Sequence, residues 1–188
     1  MVKRIISRIV KWLIDNDEIE QDDYELYEFA IYSLIFTWSP LILAIVIGII
    51  MEIPIKAIIM IIPFMIIRKF SGGYHINNPK VCFCVSCFLM IIFIGAIKSI
   101  KTGFYFDVMV YMSVALIVCK SPIDSEKRKL LESEKKRFKC ISRNISIILL
   151  LIYLVVKYLN SHTYAVCIGL SLILTGLLML PYVFLRHN

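Results

Sequence analysis

A guanidinium, an imidazole and a thiol fall within fifteen residues of one another in Arg68-Lys69-Phe70-Ser71-Gly72-Gly73-Tyr74-His75-Ile76-Asn77-Asn78-Pro79-Lys80-Val81-Cys82. A thiol becomes a nucleophile when a neighbour takes its proton, and histidine is the side chain suited to that near neutral pH. The chemistry these residues suggest is covalent catalysis by Cys82 with His75 as base. Their spacing sets a condition on it. Seven residues along one helix are a rise of about 10.5 Å, so the two cannot meet on a single helix. His75 must lie on a non-helical segment that folds back. Gly72 and Gly73 open backbone conformations closed to other residues, and Pro79 interrupts any helix running through the segment. Asn78 is a good N-cap and Pro79 is favoured at a first helical position. Cys82 is then expected at the end of a first turn. There the helix dipole and Lys80 favour thiolate, and free backbone N–H groups can hold an oxyanion. Spacing alone leaves a second reading open, a structural loop whose histidine binds a headgroup or a backbone carbonyl.

The elements around this segment belong in a membrane. Of the 188 residues, 60% are hydrophobic and 19% charged, with a mean hydropathy of +0.82. Soluble domains are about 45–50% apolar and about 25% charged. Six apolar runs are expected to span the bilayer, at about 29–51, 53–67, 81–97, 104–119, 145–159 and 163–185. The second is short for a hydrocarbon core of about 30 Å and is interrupted by Pro54, Lys56 and Pro63. Residues 1–14 alternate apolar and basic side chains at helical spacing and predict an amphipathic interfacial helix. Packing against the rest of the chain is the alternative use of such a helix. The fold class expected is all-α, one integral membrane domain over 1–188. No cleavable signal is expected, because the first apolar run follows an acidic stretch.

Charge orients the chain. With six spans, seventeen of the twenty-one Lys and Arg fall on the side holding both termini, the 68–80 segment and the 120–143 loop. Lys56, Lys98, Lys101 and Lys157 fall on the other. The positive-inside rule therefore predicts a multi-pass protein of the bacterial cell membrane with both termini cytoplasmic. The net charge of +7 is explained by topology and anionic lipid and calls for no nucleic acid.

Other chemistry-bearing residues have plainer readings. Cys82, Cys84 and Cys87 lack the second ligand pair of a zinc site, so no metal or other cofactor is expected. Cys84 lies on a different helical face from Cys82 and reads as packing. Ser86, one turn beyond Cys82, could line the site or simply pack. No carboxylate is an obvious orienter for His75; Asp124 qualifies only if its loop folds toward the site, and a turn or cap role after Pro122 is the plainer reading. His162 and His187 read as ordinary exposed residues. The basic clusters Lys127-Arg128-Lys129 and Lys135-Lys136-Arg137 either attract an acidic substrate segment or enforce topology at anionic lipid, and the two uses are compatible. Interspersed Glu126, Glu132 and Glu134 allow part of that loop to be helical.

Arg68, Gly72-Gly73-x-His75 and a cysteine seven positions after the histidine, at a membrane boundary, resemble the AgrB family of bacterial quorum-sensing peptide processors. The resemblance extends to six apolar runs, the basic N-terminal helix and Pro122-x-Asp124 opening a basic loop. It implies a membrane cysteine endopeptidase acting on a short AgrD-type precursor peptide. The catalytic pair falls on His75 and Cys82, with Arg68 and Gly73 required for activity, and a homodimer is implied as possible. Cys82 would attack the bond after the future signal peptide, release an acidic tail and form a thioester. An internal Cys or Ser of the precursor would then close a thiolactone or lactone. Two other classes remain compatible with the spans, a non-enzymatic exporter of small peptides and a membrane acyltransferase using His75.

Overall fold

Without water, a backbone must satisfy its own N–H and C=O groups, and long apolar runs do so by coiling into helices. In the computed structural model the described residues are 2–16, 18–72, 79–123 and 132–185, with no side chains described at 2–3, 36–37, 79–83, 132 or 182–185. They form α1 (Val2–Asp15), α2 (Tyr24–Ile50), α3 (Pro54–Ser71), α4 (Pro79–Ser99), α5 (Phe104–Lys120), α6 (Glu132–Tyr158) and α7 (His162–Leu185), with a 3-10 turn at Gln21–Asp23 before α2. No strand occurs among the described residues. The expected all-α class holds, and each expected apolar run corresponds to one helix from α2 to α7.

One boundary differs from expectation, and a second shows how much of the basic loop is helical. α3 continues through Arg68-Lys69-Phe70-Ser71, residues expected to belong to the polar loop. Basic side chains in a last turn face the negative end of the helix dipole, which favours that extension. α6 begins at Glu132, thirteen residues before its apolar part, so the second half of the basic loop is helix. Of the six, three are long and apolar enough to cross a membrane by length and composition, Gln21–Ile50, Ser133–Tyr158 and His162–Pro181. α3 carries Lys56, Arg68 and Lys69, α5 is 17 residues long, and the apolar stretch of α4, Cys84–Ser99, is short. Large apolar side chains are exposed along α2, α5 and α6, among them Phe29, Trp38, Met112, Leu151 and Val155. Apolar exposure on this scale is the surface of a membrane protein.

The helices group into two compact units, residues 1–42 and 43–188. In the first, α1 buries Ile6 and Val10 completely while Ile5, Ile9 and Trp12 stay exposed beside Arg4, Arg8 and Lys11. The helix thus has a packed stripe and a second apolar stripe free for another medium.

In the second unit α7 is the axis. Every residue from Ala165 to Gly176 is buried, and α7 packs against α3, α4, α5 and α6. Gly169 lies against Phe106 and Val110 of α5, and Gly176 against Ser113, so these two helices approach closely. Tight turns join neighbours. Glu52 and Asn160 both take left-handed φ, at 59° and 56°. In each case paired bonds close the preceding helix end: Glu52 N–H to Ile49 O with Ile53 N–H to Gly48 O, and Asn160 N–H to Lys157 O with Ser161 N–H to Val156 O. This is the Schellman arrangement.

One end of this unit is tied by polar contacts among α5, α6 and α7. Asp107 accepts from Tyr153 Oη and Lys157 Nζ, each at 2.5 Å. Thr102 Oγ1 lies 2.7 Å from His162 Nδ1, so His162 is tied to the α4–α5 connection and is not simply a free surface residue. Tyr105 and Tyr158 are 85% and 87% exposed at the same end. Exposed tyrosines flanking an apolar surface suit a membrane–water boundary.

Candidate functional site

The motif lies where α3 ends and α4 begins. α3 stops at Gly72, whose φ of 69° and ψ of −156° belong to a region that is essentially glycine-only. Gly72 N–H closes the helix on Arg68 O at 3.2 Å. Arg68 is half-buried on this last turn and Lys69 is exposed. Gly73 and His75 follow directly and lie outside the described residues, as does the expected approach of His75 to Cys82. Helix resumes with Pro79 as the first residue of α4. Cys82 is the fourth residue of that span, and Asn78, the expected N-cap, lies outside the described residues. Lys80 lies in the same span.

Ser86 follows one turn later and is exposed, as is Cys84; Cys87 is half-buried. Cys84 is two residues from Cys82, about 200° around the helix, which keeps it off the same face. Among the described residues no cluster of His, Cys, Asp and Glu could hold a metal.

The other partner at this end comes from the residues after α5. Ile123 N–H donates to Ser71 O at 2.9 Å, joining the α5 exit to the last residue of α3. Ser71 is fully buried, and Ser121 and Ile123 are nearly so. Ser71 Oγ reaches Gly72 O at 3.2 Å. The fit leaves no room at Gly72: a Cβ there would sit 2.4 Å from Ile123 O. The Ser121–Pro122 peptide bond is cis. The α5–α6 loop does fold toward the motif as far as Ile123; Asp124 lies outside the described residues. A second tie is the edge-on contact of Phe70 with Phe138 of α6, ring centroids 5.9 Å apart.

The two basic clusters divide. Lys127, Arg128 and Lys129 lie outside the described residues. Lys135, Lys136 and Arg137 occupy the first turns of α6, with Lys135 half-buried and the other two exposed. Three consecutive helical residues diverge by about 100° each, so they do not form a single-faced patch. Phe138, next in sequence, turns inward to Phe70, which brings this basic turn to the same end as Arg68.

Sequence reasoning missed the Ser121–Ile123 docking. Its trace was present in Gly72, since a Gly pair signals both an unusual φ and a close backbone neighbour, but only the first meaning was read. It also missed the Asp107–Lys157 pair. An ionisable residue in each of two apolar helices calls for a partner, and antiparallel α5 and α6 supply one.

Comparison with known proteins covers this whole arrangement. The family profile described as Accessory gene regulator B matches residues 6–180. A protein of Clostridium perfringens (strain 13 / Type A) is 27% identical over 175 residues, covering 87% of this chain and 79% of that protein. One from C. perfringens (strain SM101 / Type A) is 26% identical over 168 residues, covering 85% and 77%. Both are named "Putative AgrB-like protein", the first with the number 2. No solved structure matches. With the profile running from α1 into α7, the chain belongs to the accessory gene regulator B (AgrB) family.

Proposed function

We propose that this chain is a membrane cysteine endopeptidase that trims and cyclises an AgrD-type quorum-sensing precursor, with Cys82 as nucleophile and His75 as base. The observation that carries the reading is the family match across residues 6–180, which spans the whole Gly72-Gly73-x-His75 to Cys82 motif. The helical start at Pro79 supports it, because a thiol in a first turn meets the positive end of a helix dipole.

The reaction runs in two balanced steps. His75 takes the Cys82 proton and the thiolate adds to the scissile carbonyl. The C–N bond breaks, His75 returns the proton to the leaving amine, and the acidic tail departs. An internal Cys or Ser of the bound acyl segment then gives its proton to His75 and attacks the thioester carbonyl, and the C–S bond to Cys82 breaks. The ring closes and the thiolate is regenerated. Cyclisation wins over hydrolysis only if water is kept from the thioester and the internal nucleophile is held close. A site at the membrane boundary meets both needs.

Arg68, Gly72, Gly73, Lys80 and Ser86 support the site in this reading. Lys127–Lys129 and Lys135–Arg137 attract the acidic tail. All six helices α2–α7 cross the bilayer as one membrane domain, with both termini and the motif cytoplasmic, where a newly made precursor arrives. Homodimerisation follows from the family resemblance alone. Co-expression with a precursor carrying an acidic tail tests the chemistry: the parent chain releases the tail, and Cys82→Ala and His75→Ala do not. Normal tail release by either variant would end the dyad reading.

A further inference from the structure

The residues after α5 are close to the motif without being part of it. Their contact is made by backbone atoms: Ile123 N–H on Ser71 O, and Ile123 O packed where any side chain at 72 would go. Backbone contacts fix the position of the chain whatever the side chains do. Ser121 and Ile123 are buried on both sides of Pro122, so the segment is anchored in the unit it docks onto. Gly72 is the last described residue before the loop that bears His75. Its φ and ψ are open to glycine and closed to residues with a Cβ.

We infer that Ser121-Pro122-Ile123 is a positioning element for the reaction, which holds Ser71–Gly72, the end of α3 from which the sequence runs on to His75, in one position. The inference rests on the dyad reading under Proposed function. Its physical content is register. A displacement of about 1 Å at a reacting group can cost about a hundredfold in rate, and His75 is only three residues beyond Gly72.

The test uses the full chain in detergent or vesicles with its precursor. Ile123→Pro removes the donating N–H, and Gly72→Ala places a methyl against Ile123 O. Each is expected to lower kcat about a hundredfold with KM little changed, since precursor binding is not what the contact supplies. Ile123→Val keeps both backbone atoms and most of the buried side chain, and is expected to stay within a few-fold of the parent chain. Adding Ile123→Val to Gly72→Ala should not rescue it, because the obstructing atom is a carbonyl oxygen. A second readout needs no precursor: alkylation of Cys82 against pH, followed by peptide mass spectrometry. Loss of the base shifts its reactive limb up toward an ordinary thiol near pH 8.5, in Ile123→Pro and Gly72→Ala as in His75→Ala. Should Ile123→Pro not accumulate as folded protein, Gly72→Ala carries the test on the same terms. Parental kcat and alkylation profile in these variants, with His75→Ala inactive, would overturn the inference and leave the dyad standing. Full tail release by His75→Ala would instead remove the dyad beneath it.

Discussion

Asp107 of α5 and Lys157 of α6 form an ion pair at 2.5 Å, with Tyr153 Oη donating to the other carboxylate oxygen. The three are unequally solvated. Tyr153 is fully buried, whereas the Lys157 and Asp107 side chains are 33% and 17% exposed. Removing the carboxylate therefore strands Tyr153 more than Lys157, which can turn to headgroups and water. A buried polar group left without its partner costs about 1–3 kcal/mol, a lost neutral hydrogen bond about 0.5–1.5 kcal/mol. Asp107→Ala should lower thermal stability in detergent more than Tyr153→Phe, by roughly that difference. Equal midpoints for the two variants would show that the pair is not what joins α5 to α6.

The close approach of α5 and α7 gives a second, oppositely signed comparison. A Cβ at Gly176 meets Ser113 at 2.9 Å from its Cβ and 3.1 Å from its Cα, so relief requires the helices to part. A Cβ at Gly95 meets only Met51 Cε, at 3.5 Å, an ordinary contact with the tip of a flexible side chain. Alanine is the better helix former by about 1 kcal/mol, while overpacking costs about 1–3 kcal/mol. Gly95→Ala should therefore raise the melting temperature and Gly176→Ala lower it. A stabilised Gly176→Ala would mean that α5 and α7 sit farther apart than described.

The helices were legible because apolar runs and their breakers act locally. Pro79 starts α4 and the Glu52 and Asn160 turns separate neighbours without help from distant residues. The ends of α3 and α6 were harder to read. Arg68–Ser71 and Glu132–Arg143 are polar, and a polar helix end is told from a loop only by what it packs on, here Phe70 on Phe138. The Cys82–His75 pairing was read from residue types at a spacing; Cys82 lies in α4, and His75 lies outside the described residues. Ser121–Ile123 was not legible, because a backbone bond between residues far apart in the chain leaves no mark in side-chain chemistry.

Nucleophile identity can be tested inside α4. Cys84 lies two residues from Cys82 and is exposed, so it is a rival nucleophile. The choice rests on position: Cys82 closes the first turn, where unpaired N–H groups and the dipole act, and Cys84 lies past it. A thioester trapped with precursor and mapped by mass spectrometry should sit on the Cys82 peptide. Cys84→Ala should release the tail within a few-fold of the parent rate. A thioester on Cys84 would transfer the role and remove the helix-start argument.

The proposed orientation can be tested on α6. Its 27 residues rise about 40 Å, more than a hydrocarbon core of about 30 Å, so its two ends cannot both be buried in lipid. The first turns carry Lys135, Lys136, Arg137 and Lys139, and the last turn ends at the exposed Tyr158. A cluster of that charge resists translocation, so the proposed topology has the Lys136 end in the cytoplasm and Tyr158 at the outer face. In a background with all six cysteines replaced by serine, a membrane-impermeant maleimide added to intact cells should label Tyr158→Cys. Lys136→Cys should react only after the membrane is opened. The reverse pattern would invert the topology and put the Arg68–Cys82 motif on the face opposite to precursor synthesis. Labelling of both positions in intact cells would mean that α6 does not span.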